Sequence, residues 1–212
     1  MQRGLIVFSM KDLERMKERV AHLPMKIEEN EISVLPVAEY QGEIVVIERL
    51  RNLSQALEEI YSWGYVGFDT ETRPNFHKGE NHKPALMQVA GARKTFLFRL
   101  NKLGFPPLLR SFISDENIIK VGLALENDLP ELTLHQKFSP AGMVDLNQLC
   151  PQLGFQNIGA RKLTAIFLKV RLKKSQQTSN WENSILTEAQ LKYAALDSWI
   201  CREIYSILMG IA

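Results

Sequence analysis

The stretch Tyr65-Val-Gly-Phe-Asp-Thr-Glu-Thr72 joins a short apolar run to two carboxylates, Asp69 and Glu71. An apolar run of this kind, followed by a polar loop, is typical of a buried β-strand. Side chains alternate between the two faces of a strand, so both acids are expected to point to the same side and can share one cation. Two solvated acids at a strand end would give the same pattern, and this stretch alone does not decide between the two interpretations.

The segments around this strand predict an α/β protein. An amphipathic helix is expected over 52–63, and two strand-like runs, 86–90 and 95–98, are expected to form a hairpin. Strand-like and helical segments then alternate up to a last helix, which opens with a capping box at Thr187. Early hairpin strands followed by strand–helix alternation favour a sheet of mixed direction, covered by helices on both faces.

The first 43 residues are interpreted as an N-terminal helical extension. Ser9 and Asp12 resemble a capping box, and Leu13, Met16 and Val20 recur at helical spacing after it. A strand-like run begins at residue 44, and we expect the domain that follows to extend from there to residue 212.

The composition excludes several classes of protein. Two distant cysteines among 212 residues are too few for a disulfide framework or a zinc site. No apolar run reaches the roughly 18 residues of a membrane helix, and the apolar stretch at the N-terminus is too short for a signal peptide. We therefore expect a cytoplasmic protein with reduced thiols and no membrane partner. The net charge is only +2, so a nucleic-acid surface has to come from local clusters of Lys and Arg.

A second acidic stretch lies at 120–129. An apolar strand passes through Gly122 into the start of a helix that carries Glu126 and Asp128. Acids in the first turn of a helix are also favoured by the helix dipole. Alone, this stretch is explained by that stabilising role.

A third acid, Asp197, lies inside the last predicted helix. Tyr193 precedes it by four residues, which places both side chains on one face of the helix. Asp197 has apolar neighbours in Leu196 and Ile200, and burying a carboxylate without a partner is costly. We therefore expect Asp197 to meet a cation.

Taken together, these stretches predict a site for two divalent cations. Carboxylate oxygens are the ligands that Mg²⁺ and Mn²⁺ prefer, and no His or Cys cluster competes for the metal. Four acids on strand ends and helices suit a pair of such cations, the arrangement used in phosphoryl transfer.

The segments FDTET, VGLALENDL and YAALD resemble the three exonuclease motifs of the DEDD superfamily. The branch is the tyrosine-containing one (DEDDy), similar to ribonuclease D and to the exonuclease domain of Werner-type helicases; Lys192 stands where the related branch has a histidine. The flanking stretches KPALMQVAGARKTFLFRL and SNWENSILTEAQLKYAALD are also similar. The resemblance implies a ribonuclease H-like (DnaQ-like exonuclease) fold with a mixed sheet of five or six strands, and a 3′-5′ exonuclease domain over residues 44–212.

The resemblance also implies roles for five side chains. Asp69 would bridge two cations, Mg²⁺ or Mn²⁺, while Glu71 and Asp197 would complete the site of the attacking water. Asp128 would help to hold the second cation, mainly through water, and Tyr193 would orient the nucleophilic water. The reaction implied is hydrolysis of phosphodiester bonds at the 3′ end of DNA or RNA, which releases 5′-mononucleotides.

Residues near the motifs are candidates for substrate binding. They are Thr70, Lys83, Gln88, Asn127, Arg161, Lys162 and Trp181. Arg161 and Lys162 begin a basic cluster over 161–174, which would bind phosphates by releasing counterions or would form a solvated charged face. Trp181 would stack on a base or belong to the core, and the sequence leaves both open.

Two other functions remain as alternatives. One is a catalytically silent nucleic-acid-binding module with the same fold, and the other is a two-metal phosphatase acting on nucleotides. The presence of four acids and the tyrosine favours the nuclease. We expect a helicase or another nucleic-acid-processing protein as a partner, whereas the residues predict neither the choice between DNA and RNA nor the oligomeric state.

Overall fold

A computed structural model describes residues 4–75, 77, 79–133, 138–156, 158–173 and 175–211, with Asn127 and Asp128 described by their backbone alone. Within these residues a single six-stranded sheet forms the centre of the molecule. In chain order its strands are β1 (Glu43–Ile47), β2 (Tyr65–Thr72), β3 (Pro84–Ala90), β4 (Lys94–Arg99), β5 (Ile119–Gly122) and β6 (Met143–Asp145).

The sheet is mixed, with the order β1-β4-β3-β2-β5-β6. The pairs β2–β3 and β3–β4 are antiparallel, as expected for the predicted hairpin. The pairs β1–β4, β2–β5 and β5–β6 are parallel. The prediction of a mixed sheet of five or six strands is therefore confirmed, and β2 lies inside the sheet between β3 and β5.

Nine α-helices occur in the described part of the chain. They are α1 (Met10–Val20), α2 (Glu29–Ser33), α3 (Leu53–Tyr61), α4 (Leu100–Leu103), α5 (Pro107–Ser114), α6 (Leu125–Thr133), α7 (Leu146–Gln152), α8 (Ala160–Leu168) and α9 (Glu188–Met209). Among the described residues, none of these helices has the length and apolar character needed to cross a membrane. Both cysteines, Cys150 and Cys201, are buried thiols without a disulfide.

Hydrophobic clusters lie on both faces of the sheet, as predicted. One cluster joins α1, α7, α8 and α9, and a second joins α3, α5 and α6. A smaller third cluster includes Leu86 of β3, Leu97 of β4 and Trp181. Val66 and Phe68 of β2 belong to the second cluster and are fully buried. Because neighbouring side chains of a strand point to opposite faces, the residues between and after them face α9. The strand thus supplies core residues on one side and, on the other, the face that carries Asp69 and Glu71.

Gly67 allows α9 to lie directly against β2. A Cβ atom added to Gly67 would lie 1.8 Å from the backbone oxygen of Ser198. Ala194 and Ala195 on the same helix are also fully buried. Small residues on both sides of this contact let the two backbones approach closely, so that side chains one or two positions further along can meet.

The N-terminal segment packs on the same core as the rest of the chain. Leu13, Met16 and Val20 of α1, which were predicted to form a helical face, lie in the cluster with α7, α8 and α9. Leu5 forms a parallel bridge to Met143 on the edge strand β6. The segment therefore is helical in part, and it contacts both the sheet edge and the core.

Three short helices, α2, α4 and α7, were not predicted. Helix α7 follows β6 at once and contains Pro151, which interrupts helical spacing. Its start is fixed by Asp145, whose side chain accepts a hydrogen bond from the backbone N–H of Asn147. Helices this short gain most of their stability from packing rather than from their own sequence, so periodicity does not reveal them.

The contact at Gly67 gives a test of the fold. Gly67→Ala should lower the free energy of unfolding by about 2 kcal/mol or more, because the added methyl group collides with backbone that has little room to move. Urea denaturation of the purified variants measures this change.

Gly64→Ala is the matched control. Gly64 has φ of +73°, and a methyl group added there contacts nothing within 4 Å. Gly64→Ala should lower the free energy of unfolding by about 1 kcal/mol, because alanine is less stable than glycine in a left-handed backbone conformation. Equal stabilities of the two variants would contradict the close approach of α9 to β2.

Candidate active site

Three carboxylates meet between β2 and α9. Asp69 and Glu71 lie on the face of β2 that points to α9, and Asp197 comes from the helix. One oxygen atom of each carboxylate lies within 4.8 Å of the other two. The structure therefore brings together three of the four acids that the sequence singled out, including two that are far apart along the chain.

The fourth acid, Asp128, is on α6, which packs beside β2. The side chains of Asp128 and Asn127 lie outside the described residues, so their parts in the site stay predictions. What the structure does show is how the start of α6 is held. The buried carboxylate of Asp145 accepts hydrogen bonds from the backbone N–H groups of Ala124 and Leu125, at 3.2 and 2.9 Å.

Asp145 is therefore a positioning residue that sequence reasoning missed. Its three backbone hydrogen bonds join the turn before α6 to the first turn of α7. Ala124 has φ of +55°, a left-handed backbone that a side chain seldom adopts without support. A signal was present in the sequence, because an acid directly after a short apolar strand is a good cap for a helix.

Tyr193 lies one helical turn before Asp197, and the two side chains are hydrogen-bonded to each other. Burial raises the pKa of Tyr193 well above its ordinary value, and the neighbouring carboxylates of Asp197, Glu71 and Asp69 raise it further. The phenol therefore keeps its proton at neutral pH and acts as a hydrogen-bond donor.

The surroundings of Asp197 also favour the neutral form of its side chain. Burial raises the pKa of the Asp197 carboxyl to about 7, while the hydrogen bond from Tyr193 lowers it. Low-dielectric surroundings disfavour the charged form of an acid unless a cation compensates. The site thus favours either a proton or a cation on Asp197.

The carboxylates open into a cavity of about 500 Å³. Its wall includes Thr70, Arg161 and Lys162, three of the residues predicted to bind substrate. The two basic residues lie in the first turn of α8, after Gly159. One cavity therefore combines an acidic cluster, suited to cations, with basic side chains suited to phosphate groups.

A sequence model that describes 3′-5′ exonucleases matches residues 44–211, most of the chain. The chain belongs to this 3′-5′ exonuclease family. Among its relatives, the exonuclease mut-7 homolog of Homo sapiens is 30% identical over 171 residues, which cover 68% of this chain and 20% of that protein. The bifunctional 3′-5′ exonuclease/ATP-dependent helicase WRN of Mus musculus is 29% identical over 187 residues, which cover 82% of this chain and 13% of that protein.

A solved structure shows the same fold. RNase D of Escherichia coli superimposes with a TM-score of 0.72 at 22% sequence identity, and the match covers 79% of this chain and 44% of that one. The chain therefore has the ribonuclease H-like fold that the resemblance implied. It spans less than half the length of each of these three relatives.

Three of the predicted substrate residues, all of them described, do not line the cavity of the three carboxylates. Gln88 is fully buried beside Asp69, its cross-strand partner. Trp181 is also fully buried, and its ring lies 6.1 Å from the ring of Tyr193. Lys83 is exposed and lines a different cavity. Trp181 thus belongs to the core, one of the two positions that the sequence left open. There its ring packs against the ring of Tyr193.

These differences have physical causes. A tryptophan or a glutamine near a motif has the same local pattern whether it faces the cavity or the core, because the choice depends on which strands lie beside it. The position of Lys83 depends on the path of the loop after β2, for which local spacing gives no signal. Sequence reasoning also missed Glu29, which lines the cavity from the N-terminal segment.

The raised pKa of Asp197 predicts how stability depends on pH in EDTA. A carboxyl whose pKa is higher in the folded state binds more protons there, so its contribution to stability falls as pH rises from about 4 to about 7. Asp197→Asn should therefore gain stability relative to the wild type over this range, by roughly 1 kcal/mol or more at pH 8. Urea denaturation at pH 5 and pH 8 measures the difference.

Adding MnCl₂ at pH 8 serves as the control. The cation should stabilise the wild type more than Asp197→Asn, because it compensates the charge that the variant lacks. A variant that stays less stable than the wild type at pH 8 in EDTA would contradict this view of the cluster.

Proposed function

We propose that this chain is an exonuclease that hydrolyses the terminal phosphodiester bond at the 3′ end of a nucleic acid and releases 5′-mononucleotides. The observation that carries the proposal is the cluster of Asp69, Glu71 and Asp197, with oxygens within 4.8 Å of one another. Arg161 and Lys162 in the same cavity, and membership of the 3′-5′ exonuclease family, support it.

The donor set fits hard divalent cations. All three clustered side chains are carboxylates, which suits Mg²⁺ or Mn²⁺ better than a softer metal. We infer two cations, with Asp128 completing the set of ligands. When bound, they would lower the pKa of a coordinated water and offset the negative charge that develops during phosphoryl transfer.

The residues of the chain divide the remaining work. Asp69 and Glu71 hold their positions because β2 is buried in the sheet, and Asp197 because α9 packs against it. Tyr193, which retains its proton, orients the attacking water by hydrogen bonding and does not serve as the base. Arg161 and Lys162 bind the phosphates of the strand next to the scissile bond.

We propose a nucleic-acid strand as the substrate, and the proposal covers both DNA and RNA. RNase D of Escherichia coli is described as an exoribonuclease involved in structured RNA processing, whereas the WRN relative joins its exonuclease to a helicase. By analogy with the latter, we propose that a helicase or a similar protein presents strand ends to this chain.

Digestion of labelled oligomers tests the activity. Matched DNA and RNA strands, labelled at either end, should be shortened from the 3′ end with Mg²⁺ or Mn²⁺, and Asp69→Ala should lower the rate by more than about 100-fold. Glu14→Ala, which removes an exposed acid of α1 that does not line the cavity, is the control and should retain the wild-type rate.

The outcomes separate the alternatives. Binding of the label without shortening would identify a silent module, and release of inorganic phosphate from nucleotides would identify a phosphatase. Undiminished digestion by Asp69→Ala would remove the basis of the proposal.

Tyr193→Phe tests the role of the phenol. The variant should lose less than the roughly 100- to 10,000-fold expected when a general base is removed, because the hydroxyl orients water and keeps its proton. Single-turnover rates at pH 7 and pH 9 measure the effect. The phenylalanine ring can still pack against Trp181, so an unchanged melting temperature is the folding control. A loss as large as that of Asp69→Ala would argue for direct proton transfer by Tyr193.

A further inference from the structure

A carboxylate from outside the family's sequence match reaches the candidate active site. Glu29 lies on α2, ahead of residues 44–211, which match the family model. It lines the same cavity as Asp69, Glu71 and Asp197. Its carboxylate forms an ion pair with the guanidinium of Arg161 on α8.

The backbone fixes the segment that carries Glu29. Before α8, the N–H of Gln156 donates to the carbonyl of Met25 at 2.7 Å. After α8, the N–H of Arg171 donates to the carbonyl of Pro36 at 2.8 Å, and the N–H of Ala38 donates to the carbonyl of Arg171 at 2.9 Å. Residues 25–38 are thus attached on both sides of α8, and Glu29 faces that helix without depending on the ion pair.

Buried contacts hold the same segment. Ile32 of α2 is fully buried, and Ile27 is nearly so. At the start of α2, the backbone N–H of Glu28 donates to the side chain of Glu31 at 2.8 Å. These contacts do not involve the Glu29 side chain, so replacing it should leave the fold intact.

The ion pair itself is exposed and therefore exchangeable. The side chains of Glu29 and Arg161 are 60% and 39% exposed, and pairs of this kind contribute little stability because water competes with them. A guanidinium binds carboxylate and phosphate through the same planar set of donors. A phosphate that enters the cavity therefore competes with Glu29 for Arg161.

We propose that Glu29 is a determinant of substrate affinity, which weakens binding by competing with a substrate phosphate for Arg161. The inference rests on the proposed function, because it assumes a nucleic-acid strand in the cavity. Glu29 and Arg161 together carry no net charge, so a phosphate that binds beside both of them is not neutralised and keeps more of the cations condensed on the strand. The N-terminal segment thereby lowers both the affinity and its dependence on salt.

The test is equilibrium binding of a single strand that resists hydrolysis. The probe is a fluorescein-labelled oligonucleotide with phosphorothioate linkages at its 3′ end, followed by fluorescence anisotropy in MgCl₂ at increasing NaCl. Glu29→Gln removes the competing charge and keeps the side-chain shape. Glu14→Gln on α1 is the charge-matched control, because it alters net charge equally and does not line the cavity.

Glu29→Gln should tighten binding by about two- to five-fold, the range set by the loss of one exposed ion pair. It should also steepen the plot of log affinity against log salt by about 0.7, the value for one additional phosphate contact on a single strand. Glu14→Gln should do neither. In an Arg161→Gln background, Glu29→Gln should have no larger effect than the control, since the contested cation is gone.

Three results would overturn the inference. Weaker binding by Glu29→Gln would show that Glu29 positions Arg161 for the substrate. An effect equal to that of Glu14→Gln would show a general charge effect, and an unchanged effect in the Arg161→Gln background would show that Arg161 is not involved. If the wild type shortens a normal oligonucleotide and any of these results appears, this inference alone fails. If the wild type neither binds nor shortens the strand, the proposed function fails with it.

Discussion

The close packing of α9 on β2 is the constraint on which the rest of the structure depends. Gly67 and the small residues Ala194, Ala195 and Ser198 let the helix lie against the strand at backbone distance. Only at that distance can Asp69, two positions along the strand from Gly67, meet Asp197, which directly precedes Ser198 in the helix. The absence of a side chain at Gly67 therefore allows the carboxylates of β2 and α9 to meet.

The carboxylates that the proposed reaction requires lower the stability of the fold. Three carboxylates held within 4.8 Å repel one another, and burial makes the charge on Asp197 costly. The fold tolerates the repulsion because hydrophobic clusters on both faces of the sheet hold β2 and α9 independently of the acids. The same repulsion favours the cation binding proposed for the cluster, since a cation would relieve a cost that is already present in the folded protein.

The elements that could be predicted from the sequence are those whose signals are local. The alternation in β2, the spacing of Tyr193 and Asp197 and the capping box at Thr187 each depend on a few adjacent residues, and each appears in the structure. The contact between Glu29 and Arg161 depends instead on how distant segments fold back on each other, and no periodicity encodes it. Trp181 and Gln88 show the same limit, because sequence alone does not tell a residue in the cavity from one directly behind it.

The bridge between Leu5 and Met143 affects the tendency of the protein to aggregate through an exposed strand edge. Strand β6 is the last in the sheet, and an outermost strand offers its amide and carbonyl groups to any other strand that approaches. Here the chain's own early residues pair with Met143 of this strand: the N–H of Ile6 donates to the carbonyl of Met143, and the N–H of Met143 donates to the carbonyl of Gly4. The N-terminal segment thus covers part of this edge strand, which disfavours aggregation by addition of another strand on that side.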